Sequence, residues 1–168
     1  GQVVVVHGDA LKADYHGLIA QHFKQCQTIH VVANLPYYIT SPLLVRLLSD
    51  KLPLKNIVVM IQKEVADRLI AKPGSKNYSS LTVLVNYFAT VEFVARVPRH
   101  VFIPRPEVDS AVVRFQLRNH PTVSVPDESF FFRVVRAAFA KRRKTLLNAL
   151  FSEGFAHVPE EVIAAKIQ

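Results

Sequence analysis

Three short apolar runs limit most strongly what this chain can fold into: residues 3–6, 28–33 and 56–61, each rich in Val and Ile. A continuous apolar run bounded by turn residues has no polar face to offer water. It predicts a strand buried on both sides, as in a parallel sheet. Helical spacing appears between and after these runs. Residues 18–23 read as a short helix. Ser41-Pro42 reads as a cap followed by a first-turn proline, with Leu43, Leu44, Leu47 and Leu48 as the apolar stripe. Residues 62–71 predict another helix, stopped by a Pro73-Gly74 turn, and Leu81, Leu84, Val85 and Phe88 a further one. Strands are predicted over 91–97 and 108–117, separated only by a loop, which suits antiparallel pairing at one edge. Strands alternating with helices at these lengths predict an α/β fold with a mostly parallel sheet.

The chain has 168 residues, half of them hydrophobic, so it can build a core and is neither fibrous nor disordered. Residues 120–127 hold two prolines and few large side chains, and predict a linker between domains at 1–119 and 120–168. Beyond it the pattern is helical: Phe130, Phe131, Val134, Val135, Ala138 and Phe139 share a face that Leu146, Leu147 and Leu150 continue, and another helix starts at Pro159. Lysine and arginine number 21 against 13 acids, a net charge of +8 that suits a polyanionic partner, nucleic acid first. The single cysteine, Cys26, excludes an internal disulfide framework and a cysteine-cluster metal site, and is expected to pack as a small apolar group. The seven histidines lack metal-ligand spacing, so no metal is expected. No stretch reaches the roughly 18 apolar residues of a membrane span, and no secretory leader is visible, so the expectation is a cytoplasmic protein without membrane contact. The five glycines are scattered, leaving no glycine-rich nucleotide loop.

In an open parallel sheet, ligands bind at the carboxyl ends of the strands. Gly8-Asp9-Ala10 follows the first run and Asn34-Leu35-Pro36-Tyr37 the second, so both are expected to face one crevice. The second sequence suits methyl transfer to a planar amine. The lone pair of an exocyclic amine is delocalised into its ring, and two acceptors aimed at its N–H bonds favour the pyramidal form that exposes it. The Asn34 side-chain oxygen and a backbone carbonyl, of Leu35 or of Pro36, can supply them. Proline fixes the turn, and Tyr37 offers a face on which an extruded base can stack. No strong general base is needed, because the amine loses its proton readily once methylated. Read without context, Asn34–Pro36 is also an ordinary strand-to-helix turn, Asp9 a turn acid and Phe102 a core side chain. Arg133, Arg136, Lys141, Arg142, Arg143 and Lys144 place six cations within twelve residues. On a helix they flank the apolar face and form a ridge for phosphates, or a solvated basic face. Lys63, Glu64 and Arg68 are spaced for helix-surface pairing rather than acid–base chemistry.

Asn34-Leu35-Pro36-Tyr37-Tyr38-Ile39-Thr40-Ser41-Pro42-Leu43 resembles the fourth motif of the ribosomal RNA adenine N6-dimethyltransferases. The segments at 62–69, 75–81, 102–113 (Phe-x-Pro-x-Pro-x-Val-Asp-Ser) and 139–146 resemble that family's further blocks, in order and spacing. The resemblance implies a Rossmann-like class I methyltransferase sheet followed by the start of a helical RNA-binding domain. It implies S-adenosyl-L-methionine as cofactor, bound by Asp9, Ala10 and Asn34, with its adenine amino group on Asp9 and its ring on the Ala10 backbone. It implies that Asn34, Pro36 and Tyr37 hold the target adenine, that Phe102 clamps it, and that Arg133, Arg136, Lys141, Arg142, Arg143 and Lys144 contact RNA. The implied partner is small-subunit (16S) ribosomal RNA, or the immature small subunit, dimethylated at two adjacent adenines of a 3′-terminal hairpin. The 38–42 continuation and the 109–113 block favour this small-subunit branch over the erythromycin-resistance branch, which acts on large-subunit RNA. A non-catalytic RNA- or ribosome-binding module is the alternative from another class. The family's sheet begins with two further strands, carrying a glycine-rich cofactor loop and a ribose-binding acid. The 168 residues contain neither, so alone they are expected to bind S-adenosylmethionine weakly, to be inactive, and to self-associate through an exposed sheet edge.

Overall fold

A computed structural model describes residues 3–141 and 143–155. The chain divides into two compact units, Gly1–Thr122 and Val123–Gln168. The first is built around β2 (Leu54–Gln62), where Ile57, Val59 and Ile61 point to one face and are buried while Val58 and Met60 alternate with them. β1 (Ile29–Asn34) pairs parallel along one side of β2. β4 (Ser110–Leu117) pairs antiparallel along the other, and β3 (Ala89–Val97) antiparallel outside β4. The order β1-β2-β4-β3 makes a mixed four-stranded sheet. Ala111, Val113 and Phe115 of β4 join Ile57, Val59 and Ile61 in the core.

The helices that complete this core follow from apolar spacing. In α2 (Thr40–Ser49), Leu43, Leu44, Leu47 and Leu48 are buried as one stripe. Leu44 has no exposed surface, and burying such a side chain stabilises by roughly 1.5–3 kcal/mol. α3 (Lys63–Leu69) starts directly at the end of β2 and buries Ala66 and Leu69. Its solvent side carries the pairs Lys63–Asp67, at 2.6 Å, and Arg68–Glu64, as their i,i+4 spacing predicts. The Pro73-Gly74 turn uses Gly74 at φ 82°, which glycine adopts without steric cost. α4 (Ser80–Phe88) opens on a capping box in which the Ser79 and Thr82 side chains each bond the other's backbone N–H. α1 (Tyr15–His22) is capped by Asp14, whose carboxylate accepts from Gly17 N–H at 3.0 Å. In the second unit, Asp127 caps α5 (Glu128–Ala140), and α6 (Leu146–Ser152) follows.

Several expectations are corrected. Residues 3–6 form no strand, and Val3, Val4, Val5 and Val6 are 56–89% exposed. A β-branched run becomes a strand only where a neighbour completes its hydrogen bonds, and no described strand lies beside this one. β1, the edge strand, is not buried on both faces: its residues alternate between partly buried and exposed, and Val32 is 79% exposed because nothing covers that face of the strand. The sheet is not mostly parallel, since β4 inserts between β2 and β3 and makes two of the three pairings antiparallel. α2 begins at Thr40 with Ile39 as its cap residue, so Ser41 is not the cap and Pro42 stands third in the helix. There it still falls among the first-turn N–H groups that lack helical partners. Cys26 is exposed rather than packed. In α5 the described burial centres on Ala137, while Phe130 and Phe139 are exposed. The helix expected from Pro159 lies outside the described residues. Among the described residues no helix is long and apolar enough to cross a membrane.

Candidate active site

Asn34 is the last residue of β1, in register with Met60, and its side chain is exposed. Leu35 N–H continues the ladder to Met60 O at 3.2 Å, and its side chain is buried, so the turn is anchored at its first step. The chain then reverses into a 3-10 turn, Tyr37–Ile39, that runs into α2. The Pro36 carbonyl closes this turn. It accepts from Ile39 N–H at 3.2 Å and from the buried Thr40 hydroxyl at 3.1 Å. Both lone pairs of that oxygen are therefore engaged, and of the two carbonyls the sequence offered as acceptors, that of Leu35 is the better placed to receive another donor. The Tyr37 hydroxyl bonds Ser110 Oγ at 3.3 Å, which fixes a half-exposed ring against the start of β4.

Phe102 is partly buried and follows a 3-10 turn, Arg99–Val101, in the loop between β3 and β4. Asp109 fastens that loop. Its carboxylate accepts from Arg99 N–H at 3.0 Å and from Arg96 Nε at 2.9 Å, and its carbonyl accepts from Lys63 N–H at 3.0 Å. The Arg99 guanidinium closes on Glu107 O at 2.8 Å. The Arg99 N–H bond and then the Arg96 guanidinium hold the Asp109 carboxyl below its ordinary value. Two consecutive residues, Asp109 and Ser110, thus hold the Phe102 loop and Tyr37.

Asp9 sits in an exposed turn beside an open cleft that includes His7, Gly8 and Leu18. Asn34, Tyr37 and Phe102 are not among the residues that line that cleft. Arg46, on α2, holds the turn that follows Asp9. Its guanidinium donates to Ala10 O at 3.2 Å and to Ala13 O, pairs with Asp50 at 3.2 Å, and lies 5.0 Å from the centre of the Tyr15 ring. The Tyr15 hydroxyl donates to Ala10 O at 2.8 Å. Burial lifts the Tyr15 phenol above its ordinary value, Arg46 opposes this, and Asp50 and Asp9 add to the rise, so it stays a donor. Sequence reasoning missed Arg46, Tyr15, Thr40 and the fastening roles of Asp109 and Ser110. Only the i,i+4 spacing of Arg46 and Asp50 was a signal, and it does not tell of the Ala10 carbonyl 36 residues away.

The cofactor implied by the resemblance meets suitable chemistry at its adenine end. Asp9 Oδ1 accepts from Leu11 N–H at 2.9 Å, Oδ2 lies 4.0 Å from Lys12 Nζ, and the side chain is half exposed, the chemistry of an acceptor for an exocyclic amine. No group of three or more metal-ligating side chains occurs among the described residues.

The second unit bears the basic segment. Arg133 and Arg136 lie exposed on α5, and the Arg133 guanidinium is 5.5 Å from the Phe130 ring and 5.9 Å from that of Phe155. The helix ends at Ala140, so Lys141, Arg143 and Lys144 stand in the connection to α6 rather than on one helical ridge. Arg142 lies outside the described residues.

The mixed sheet and its helices are an arrangement found in solved methyltransferases. The chain superposes on a dimethyladenosine transferase from Plasmodium falciparum with a TM-score of 0.67 and 31% identity, covering 95% of this chain and 51% of that one. Its likeness to the 23S rRNA methyltransferase ErmE, at TM-score 0.64 and 24% identity over 95% of this chain and 59% of that one, is one of fold alone. The chain belongs to the ribosomal RNA adenine dimethylase family, whose model matches residues 1–167. It is 57% identical over 150 residues to the ribosomal RNA small subunit methyltransferase A of Geobacillus thermodenitrificans, covering 89% of this chain and 51% of that protein. It is 56% identical to the protein of the same description from Bacillus cereus, over the same shares. The chain spans about half the length of the curated relatives it matches.

Proposed function

We propose that the protein dimethylates N6 of two adjacent adenines in a 3′-terminal hairpin of small-subunit ribosomal RNA, during subunit maturation in the cytoplasm. The family and its small-subunit relatives support the substrate class. The observation that carries the chemistry is the strand-end turn, where the Pro36 carbonyl already accepts two hydrogen bonds and the Asn34 side chain is exposed. In this reading Asn34 Oδ1 and Leu35 O accept the two N–H bonds of the target amine and turn its lone pair outward. Pro36 sets the turn rather than touching the amine. Tyr37, held by Ser110, stacks on the extruded base, and Phe102 closes on it from the fastened loop. Asp9 Oδ2 and the Ala10 backbone hold the adenine end of S-adenosylmethionine, which supplies an electrophilic methyl group on sulfur when bound. As the methyl carbon–sulfur bond breaks and leaves a neutral thioether, the nitrogen becomes an acidic ammonium and gives its proton to water, so a second transfer repeats the first with a fresh cofactor molecule. Phosphates of the RNA meet Arg133, Arg136, Lys141, Arg143 and Lys144, with Arg142 assigned from the sequence alone. The fold is then read as the Rossmann-like class I methyltransferase type, with residues 120–168 as the start of an RNA-binding helical domain.

The test is methyl transfer from labelled S-adenosylmethionine to small-subunit and large-subunit RNA, with product mapping. Asn34→Ala is expected to lower transfer by about 10²–10³ while leaving RNA binding intact. Labelling of large-subunit RNA instead places the protein with the erythromycin-resistance type. Binding to small subunits with no transfer by either form makes it a binding module.

A further inference from the structure

We infer that Arg46, with Tyr15, is a positioning residue that aims the Asp9 carboxylate from α2. The inference rests on the proposed role of Asp9 in holding the cofactor's adenine. The Ala10–Leu11 peptide group is held at both ends. Its carbonyl accepts from the Tyr15 hydroxyl at 2.8 Å and from Arg46 Nη1 at 3.2 Å, and its N–H, on Leu11, donates to Asp9 Oδ1 at 2.9 Å. Donors on a carbonyl polarise the peptide and strengthen its N–H as a donor. The cation therefore acts on Asp9 through one peptide plane, occupying Oδ1 and leaving Oδ2 for the ligand. A second anchor, Arg46 to Ala13 O, holds the far end of the same turn, and Ala13 N–H and Lys12 N–H close it on Asp9 O, each at 2.9 Å.

Arg46 itself is well braced. Asp50 pairs with it one helical turn on, the Tyr15 ring covers it, and its side chain is only 26% exposed. A lysine cannot reproduce this, because one ammonium has neither the planar stacking surface nor the fork that reaches two carbonyls. The helix carrying Arg46 begins at Thr40, whose hydroxyl closes the Pro36 turn. One element, α2, therefore contacts both the turn that follows Asp9 and the Pro36 turn.

The test uses the full-length protein with Arg46→Gln, Arg46→Lys and Tyr15→Phe, measuring S-adenosylmethionine affinity by calorimetry without RNA, RNA affinity, and kcat at saturating cofactor. Arg46→Gln is expected to weaken cofactor binding at least fivefold with RNA affinity unchanged, and Arg46→Lys not to restore it. Tyr15→Phe removes one hydroxyl, and a two- to fivefold loss is expected from it. The double variant is expected to lose less than the product of the single losses, because both side chains serve one carbonyl. Cofactor affinity within twofold of wild type in folded Arg46→Gln overturns the inference, and so does unchanged affinity in Tyr15→Phe if Arg46→Gln does not fold. Failure of the underlying reading looks different: wild-type protein that does not bind S-adenosylmethionine, or binds it equally well as Asp9→Asn.

Discussion

Asp109 shows how much one side chain fixes in this molecule. Three oxygens of this residue receive four donors, from Arg96, Arg99 and Lys63, and they tie together a strand, a loop and the first residue of α3. Its folded carboxyl is held below its ordinary value, so the stabilisation it gives is complete above the unfolded value near about 4 and is lost as pH falls through the lower folded value. Melting temperatures of wild type and Asp109→Asn are therefore expected to differ at neutral pH and to converge as pH drops below about 4. A gap unchanged down to about pH 2 shows that the carboxylate charge is not what fastens the loop. At the same scale, Tyr37→Phe removes only the bond to Ser110 Oγ. It is expected to keep base stacking and to lower methyl transfer by less than Tyr37→Ala does, measured as kcat at saturating RNA.

The helices are where sequence and structure agree best. The stripe Leu43, Leu44, Leu47, Leu48 was legible because its spacing serves only one buried face, and all four are buried. Leu44→Ala is expected to cost about 2–5 kcal/mol in denaturant unfolding, as transfer and cavity terms add. In α4 the Ser79 cap was not read from the sequence. A serine among the polar residues 75–80 gives no sign of which member caps, and Thr82 completing the box depends on the turn geometry. Ser79→Ala is expected to cost about 1 kcal/mol by the same measurement, and an unchanged midpoint shows the cap to be solvent-compensated. The strands were read less well. Residues 3–6 and 28–33 look alike as apolar runs, yet one forms no strand and the other is an edge strand with Val32 exposed. Side-chain chemistry states that a run can form a strand, and only the neighbouring backbone decides whether it does.

For the molecule as a whole, the net charge of +8 is spread over both units, +6 on residues 1–122 and +2 on residues 123–168, where the cations cluster. In the first unit Arg46, Arg68, Arg96 and Arg114 are paired to acids, while Arg99, Arg105 and Arg118 appear in no such pair among the described contacts. In the second unit Arg133, Arg136, Lys141, Arg143 and Lys144 appear in no such pair among the described contacts. RNA affinity is expected to fall linearly with the logarithm of salt concentration, and Arg136→Gln with Lys141→Gln to flatten that slope by about 1–2 without changing cofactor affinity. A salt slope that the double variant leaves unaltered places the phosphate contacts elsewhere.

The sequence by itself determined the α/β class, the buried face of α2 and the Asn34-Leu35-Pro36-Tyr37 turn. These are local matters: apolar spacing selects a buried face, and a proline beside an asparagine selects a turn whatever surrounds it. Tertiary structure decided the rest. It placed β4 inside the sheet, left β1 at its edge, occupied the Pro36 carbonyl with Thr40, and brought Arg46 to Ala10. Each of those outcomes depends on which hydrogen-bonding group meets which across tens of residues, and spacing along the chain carries no record of that meeting.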